Sequence, residues 1–570
     1  PKQNVTQIRV TLNYQHINET FILEFILREC LEGEFKSIST DLCELCPIGF
    51  YSLDYHQPCA QCPPHAICPG GAVLHVDPKF WRHPKSGLIF PCIAGLDDRC
   101  KGGSDGENQC EYGYHGALCQ GCNYSANYVP NGNTCVQCNK NGFSLWLNAG
   151  GAILAGYLWE LFSLYSSIVS IRNFVKVFIK DDADPHTKMR FKRKYYMGIQ
   201  INFLTSFCQM FSIIYVYAKY SNIKIHSFIT ELVTNIVSYI SSPSSRQSSS
   251  LECLFLYYGV DPTEITFFKM KYWIMLPMVK LIVTIVLVML LRTVRRIEDF
   301  RGTILAIFFL LILYEQPGLL LNLGRFSSCF LQDIDDIGFV QIDPRISCED
   351  PQYLYIKESW ALPAILIWGL AIPLCFFFLL IITRKSFNTV RTRKRFGALI
   401  NSYKQSAFYW TISIMGLKLG IILSLSLIDE PTTAFLTSFL VILAYYLLLK
   451  HVQPYSGEHF MKMEVYSVLT YMVSVFILGY SANNEYDSLL IIGSIIIVSM
   501  NLFTILYIGL KTIGKCWENI KAQRESAHLV KFEEMSQSSQ SLLYHDRIET
   551  DDGENEKQEE LELIEQEKEN

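Results

Sequence analysis

The chain has 570 residues, half of them hydrophobic and only 18% charged, a balance that excludes an ordinary soluble enzyme and leaves room for more than one domain. The formal net charge of −5 conceals an asymmetry, because from Glu549 to the end eleven acidic residues face two lysines, leaving the remainder of the chain about +4. No basic face interleaved with aromatics points to nucleic acid.

The chain opens at Pro1 without a methionine or a signal-peptide pattern, which reads as a mature or truncated N-terminus. From Val5 to Leu27, β-branched and apolar residues alternate (Thr6, Ile8, Val10, Leu12; Phe21, Leu23, Phe25) and predict strands. Residues 1–42 therefore form the strand-rich end of an extracellular region. Residues 43–140 are dense in Gly, Pro and Cys, and one spacing occurs twice. Cys43-x2-Cys46-x12-Cys59-x2-Cys62 is matched by Cys119-x2-Cys122-x12-Cys135-x2-Cys138. Four such cysteines match a zinc ribbon in spacing, but in an oxidising compartment thiols pair instead. A domain this small then relies on disulfides in place of a large core, each bond contributing on the order of 2–4 kcal/mol.

Residues 141–512 alternate apolar runs with short polar loops. A spanning helix needs about 20 apolar residues, and nine runs qualify: 143–171, 196–217, 272–292, 302–322, 359–383, 406–428, 432–450, 464–482 and 487–511. Arginine and lysine crowd the loops 172–194, 292–301 and 384–404, which the positive-inside rule puts in the cytoplasm. The acidic loop 323–358 and the cysteine block then lie outside. The sequons Asn4, Asn18 and Asn123 all precede the first span, in keeping with glycosylation outside. Sixteen cysteines fall on that side: Cys30, Cys43, Cys46, Cys59, Cys62, Cys68, Cys92, Cys100, Cys110, Cys119, Cys122, Cys135, Cys138, Cys253, Cys329 and Cys348. Sixteen is even, as complete pairing requires. Cys208, Cys375 and Cys516 are left over. The Ser/Thr-rich stretch 241–250 reads as a flexible loop, and residues 513–570 as a disordered, acidic cytoplasmic tail.

The stretches CELCPIGFYSLDYHQPCAQCPPHAICPGG, FWRHPKSG and CEYGYHGALCQGC resemble the cysteine-rich repeats that precede membrane spans in large surface proteins of ciliates and other protists. MGIQINFLTSFCQ, SLECLF, ESWALPAILIWGLAIPL, RKRFGALINSYKQSAFYW and LLLKHVQPY look like the TRP-like transmembrane region of those proteins and, more distantly, of fungal TRP-like flavin-carrier proteins. That family usually has an acidic residue after FYW, where this chain has Thr411. The resemblance implies an integral membrane protein with a cation-channel or transport role.

An ionisable group inside a span is a default functional candidate, and four qualify: Glu160, Lys280, Glu315 and Lys418. Interhelical pairing is the simpler reading for Glu160 and Lys418, and snorkelling for Lys280, which lies near a span end. Glu315, Gln316 and Pro317 are the sharper candidates, since a proline that breaks the helix ladder exposes polar groups from which transporters build ion sites. Arg391, Arg393, Lys394 and Arg395, followed by Phe408-Tyr409-Trp410, read as a lipid-facing cytoplasmic linker. Walker, HExxH and GxSxG motifs are absent, so no catalytic residue, metal or cofactor is assigned. The expected architecture is an all-α polytopic membrane bundle of about nine transmembrane helices, N-terminus outside and C-terminus cytoplasmic, under a small disulfide-rich loop/β domain. The expected partners are membrane lipids, cations, and an extracellular protein ligand or a second copy of the chain. Two functions compete: a cation channel or transporter, and a cell-surface receptor or adhesion protein whose helices anchor and transmit.

Overall fold

The alternating residues near the N-terminus form a hairpin in which Val5–Tyr14 pairs antiparallel with Ile17–Ile26, Asn18 opposite Asn13. The computed structural model describes residues 5–511 outside the segments 15–16, 27–28, 38–41, 54–57, 84–85, 93–96, 105, 107, 132–133, 139–140, 179–184, 221–247, 295–298, 331–337, 429, 483–491 and 494, together with residues 514, 517 and 521. Asn4, Cys516 and the acidic tail lie outside the described residues.

After this hairpin come short two-stranded ladders held by disulfides. Both copies of the duplicated spacing are wired alike. The two inner cysteines close a 13-residue loop, Cys46–Cys59 in the first copy and Cys122–Cys135 in the second. The first cysteine of each quartet pairs upstream, as Cys43 with Cys30 and Cys119 with Cys110. The fourth pairs downstream, and here the copies diverge: Cys62 closes locally on Cys68, whereas Cys138 reaches Cys253, 115 residues away. Cys92–Cys100 and Cys329–Cys348 complete eight bonds, which together take up all sixteen of the cysteines assigned outside. Neither quartet therefore presents the four thiolates of a zinc ribbon. Cys208 and Cys375 are free.

The apolar runs become helices: α1 Gly142–Phe178, α2 Pro185–Tyr220, α3 Ser248–Tyr257, α4 Ile265–Val294, α5 Phe300–Ser327, α6 Pro351–Ser386, α7 Val390–Ile400, α8 Trp410–Leu427, α9 Pro431–Val452, α10 Glu458–Ala482 and α11 Ile495–Lys511. Among the described residues seven helices are long and apolar enough to cross a membrane, namely α2, α4, α5, α6, α8, α9 and α10. The other two of the nine expected runs fall on α1 and on the shorter α11. Ser248 to Ser250, expected in a flexible loop, open α3 instead, whose Leu251, Cys253 and Leu254 are buried.

Burial is uneven. Helix α5 is the central post, with Leu310, Leu319, Leu320 and Leu323 buried, while α4 shows Ile282, Val286 and Leu290 on its outer face. An apolar outer face on a helix this hydrophobic suits hydrocarbon rather than water. Helix α6 carries two π-turns, Lys357–Ala361 and Ile367–Ala371, each ending two residues before a proline, Pro363 and Pro373. A proline has no N–H to give to the turn behind it, and the wider turn is one way for the helix to continue.

The cysteine domain packs against one end of the helices. Cys122, Tyr124 and Val129 share one apolar cluster with Leu145 of α1, Cys253 and Leu254 of α3 and Ile265 of α4. Phe339, from a three-stranded sheet formed by Cys329–Phe330, Phe339–Val340 and Asp343–Ser347, joins Trp81, Cys92 and Leu118. At the seam Gly116, with φ of 82°, would bring a Cβ to 2.7 Å from the Pro344 carbonyl oxygen. Only glycine accepts both that conformation and that approach.

Candidate functional site: charged and polar groups inside the helical bundle

Three of the four intramembrane candidates meet. Lys280 of α4 donates to Glu160 Oε1 of α1 and to Glu315 Oε1 of α5, each at 2.6 Å. All three are less than a tenth exposed. The snorkelling expected of Lys280 does not occur, because two carboxylates inside the bundle already hold its amine. Two acids against one base leave the cluster with a formal −1 when all three are ionised.

Lys418 does not pair with Glu160. Its amine donates to Gln209 Oε1 at 2.7 Å, and Gln209 Nε2 donates to the Tyr314 carbonyl at 3.0 Å. The Tyr314 hydroxyl in turn donates to Asn202 Oδ1 at 3.0 Å, which also receives Ser167 Oγ at 2.9 Å. Lys418 and Glu464 both line a cavity of about 120 Å³, along with Thr205, Gln209, Tyr314 and Tyr455. Glu464 Oε1 accepts from the Tyr445 hydroxyl at 2.8 Å. Adjacent residues of α5 thus serve two centres, Glu315 the triad and its neighbours Tyr314 and Gln316 the cavity.

Helix α5 does not break at Pro317; it continues to Ser327. What Gln316 does is repair a different helix. In α6 the Ile372 N–H reaches back to the Ile367 carbonyl and Pro373 has no N–H, so the Trp368 carbonyl loses its helical donors. Gln316 Nε2 supplies one at 2.8 Å. Replacing Gln316 with leucine strands that buried carbonyl and is expected to cost about 1–3 kcal/mol. Denaturant unfolding in detergent micelles would measure it, and an unchanged midpoint would contradict this role.

A second set of buried charges lies where the cysteine domain meets the helices. Arg345 donates to Asp343 through Nε at 2.8 Å and Nη2 at 2.6 Å, to the Pro262 carbonyl through Nη1 at 3.4 Å, and places its guanidinium 3.7 Å over the Tyr124 ring. Thr266 donates to Asp343, and Lys269 pairs with Glu252. Burial works to raise the Asp343 carboxyl, but Arg345 and the hydrogen bonds outweigh it and hold Asp343 below the usual carboxylate range. Burial followed by the Glu252 and Asp343 charges pushes the Tyr124 hydroxyl well above its ordinary value.

Of the expected lipid-facing linker, Arg391, Lys394 and Arg395 line a cleft. Arg393 turns inward instead, donating to the Phe387 carbonyl at 2.7 Å and stacking 5.2 Å over Phe174. The helical period of α7 places it on the face opposite to that expected. The Asn123 side chain accepts from the Ala126 N–H and caps a short 3-10 turn. Gln209, Tyr314, Asn202 and Glu464 were not singled out from the sequence. Glu464 carried a weak signal as the first residue of the eighth apolar run, whereas uncharged Gln209 and Asn202 carried none.

No protein-family model and no solved structure matches the chain. Over 199 residues, 33% of the chain, it is 22% identical to cysteine repeat modular protein A of Toxoplasma gondii, and the match spans 6% of that protein's length. This weak similarity to a protist cysteine-repeat protein, the disulfide-rich N-terminal region and the seven apolar helices fit a cysteine-rich multi-pass membrane protein.

Proposed function

We propose that this chain is a multi-pass protein of the plasma membrane whose TRP-like helical domain conducts or transports a cation beneath an EGF-like, disulfide-rich extracellular cap. The reading is non-enzymatic. Loop charge supports a cytoplasmic C-terminus, and the sequons Asn4, Asn18 and Asn123 support a glycosylated outer domain. The observation that carries the transport reading is the cavity lined by Glu464 and Lys418. A carboxyl group and an amine cost free energy in a bundle whose outer face suits hydrocarbon, so a cavity built around them indicates something polar to accommodate. A volume of about 120 Å³ has room for several waters, or for a cation that keeps part of its hydration.

Reconstitution in liposomes with a cation-flux readout tests this. The wild-type chain is expected to pass cations, and Glu464→Gln to lose most of that flux while keeping its helical circular dichroism and melting point. An absence of flux under voltage, calcium, stretch and ligand would sink the proposal.

One observation favours a second reading, a surface receptor or adhesion protein. The cysteine domain is bound to the helices covalently through Cys138–Cys253 and electrostatically through Arg345, so a load on it reaches α3 and the turn that leads into α4. Capture of an extracellular protein by the cysteine domain, in cells whose membrane conductance does not change, would favour it.

A further inference from the structure

A cleft at the end of the bundle where α4 gives way to α5 has no part in either reading. It measures about 560 Å³ and is lined by Arg292, Arg301, Arg391, Lys394 and Arg395, with Asp299 as the one acid among the described residues. A neighbouring cavity of about 400 Å³ shares Asp299 and Lys394 and adds Arg172, Lys176 and Thr303. Asp299 is already engaged, its Oδ1 capping α5 at the Gly302 N–H. Among the described residues no carboxylate pairs with Arg391, Lys394 or Arg395.

Ordinary positive-inside anchoring would scatter these cations around the rim. Instead three separate stretches of chain bring them to one concavity, where they repel one another unless an anion is present. We propose that the cleft binds a group bearing two or more phosphates. Guanidinium forks grip phosphate oxygens in pairs, and a single phosphate carries too little charge to neutralise five cations. The volume suits a phosphorylated sugar or polyol ring. The exposed Met289, Leu290 and Leu291 of α4 lead directly to Arg292, a surface along which the acyl chains of a lipid bearing that headgroup can lie.

The test uses the full chain and does not depend on transport. It is placed in phosphatidylcholine nanodiscs with or without a bisphosphorylated inositol lipid, and bound lipid is read by native mass spectrometry. A parallel arm offers the free inositol polyphosphate. Arg391→Gln, Lys394→Gln and Arg395→Gln combined are expected to weaken binding roughly tenfold or more. The control combination Lys385→Gln, Lys404→Gln and Lys450→Gln removes the same charge outside the cleft and is expected to leave binding within about twofold. Should the cleft variant fold poorly, Lys394→Gln alone serves with a proportionately smaller loss. Retention of the lipid but not the free polyphosphate identifies a headgroup site, and retention of both identifies a site that a soluble polyphosphate also fills. Equal weakening by the two combinations, or no retention above phosphatidylcholine alone in either arm, overturns the proposal.

Discussion

Replacing Lys280 with methionine is expected to destabilise the helical domain by about 3–5 kcal/mol, the usual cost of removing one partner of a buried ionic cluster. The change leaves Glu160 and Glu315 facing each other without the amine that now donates to both at 2.6 Å. The loss is therefore two carboxylates without compensation, beyond two hydrogen bonds. Methionine keeps much of the lysine's shape, so little of the effect can come from a cavity. Adding Glu160→Gln and Glu315→Gln to Lys280→Met should restore most of the stability, because neutral amides can hydrogen-bond one another without an ionic partner. Unfolding of the purified chain in micelles, followed by helical circular dichroism, compares the three proteins. A Lys280→Met protein as stable as the wild type would mean that water reaches the cluster and that the burial argument fails.

The second large effect lies at the seam between cysteine domain and helices. Arg345→Ala removes at once the charge beside Asp343, the donor to the Pro262 carbonyl and the cation over Tyr124. About 3–5 kcal/mol is expected here too, for the same reason. Because Cys138–Cys253 still tethers the two parts, the domain should loosen rather than leave. Limited proteolysis would then cut near the seam much faster than in the wild type. Acid gives an independent check. In the folded protein Asp343 is held below its ordinary value of 3.8, with Arg345 and hydrogen bonds prevailing over burial. Its contribution is thus complete above about pH 4 and is lost as pH falls through the lower folded value. In Arg345→Ala burial is opposed by the hydrogen bonds from Thr266 and from the residue-345 N–H but no longer by the guanidinium, so that carboxyl should rise. Asp343 should then supply less of the acid limb. An acid limb that keeps the same slope in both proteins would show that Asp343 does not answer to Arg345.

How much of this could be read in advance follows from where each feature's cause lies. A spanning helix announces itself over some 20 consecutive residues. The runs that became α2, α4, α5, α6, α8, α9 and α10 were therefore legible, and the doubled cysteine spacing was equally plain. Each of these depends on neighbours along the chain. Pairing does not. Cys138 and Cys62 end identical patterns, yet one closes within six residues and the other across 115. Only the docking of the second module against α3 decides that. Lys280 was visible as a charge in a span, but its partners come from helices 120 residues before it and 35 after it. Distance along the chain carries no trace of such a meeting. Pro317 was expected to break α5. The helix instead runs through it, and the disturbance appears at the π-turns of α6, where Gln316 answers a carbonyl that Pro373 had left without a donor.

Sequence alone determined that this chain builds apolar helices beside a cross-linked domain, because hydrophobicity and cysteine spacing act locally and survive any arrangement of the parts. Tertiary structure alone decided which charges face one another, which thiol reaches into the helices and where a polar cavity opens. Those outcomes depend on distances between helices, and no stretch of sequence records them.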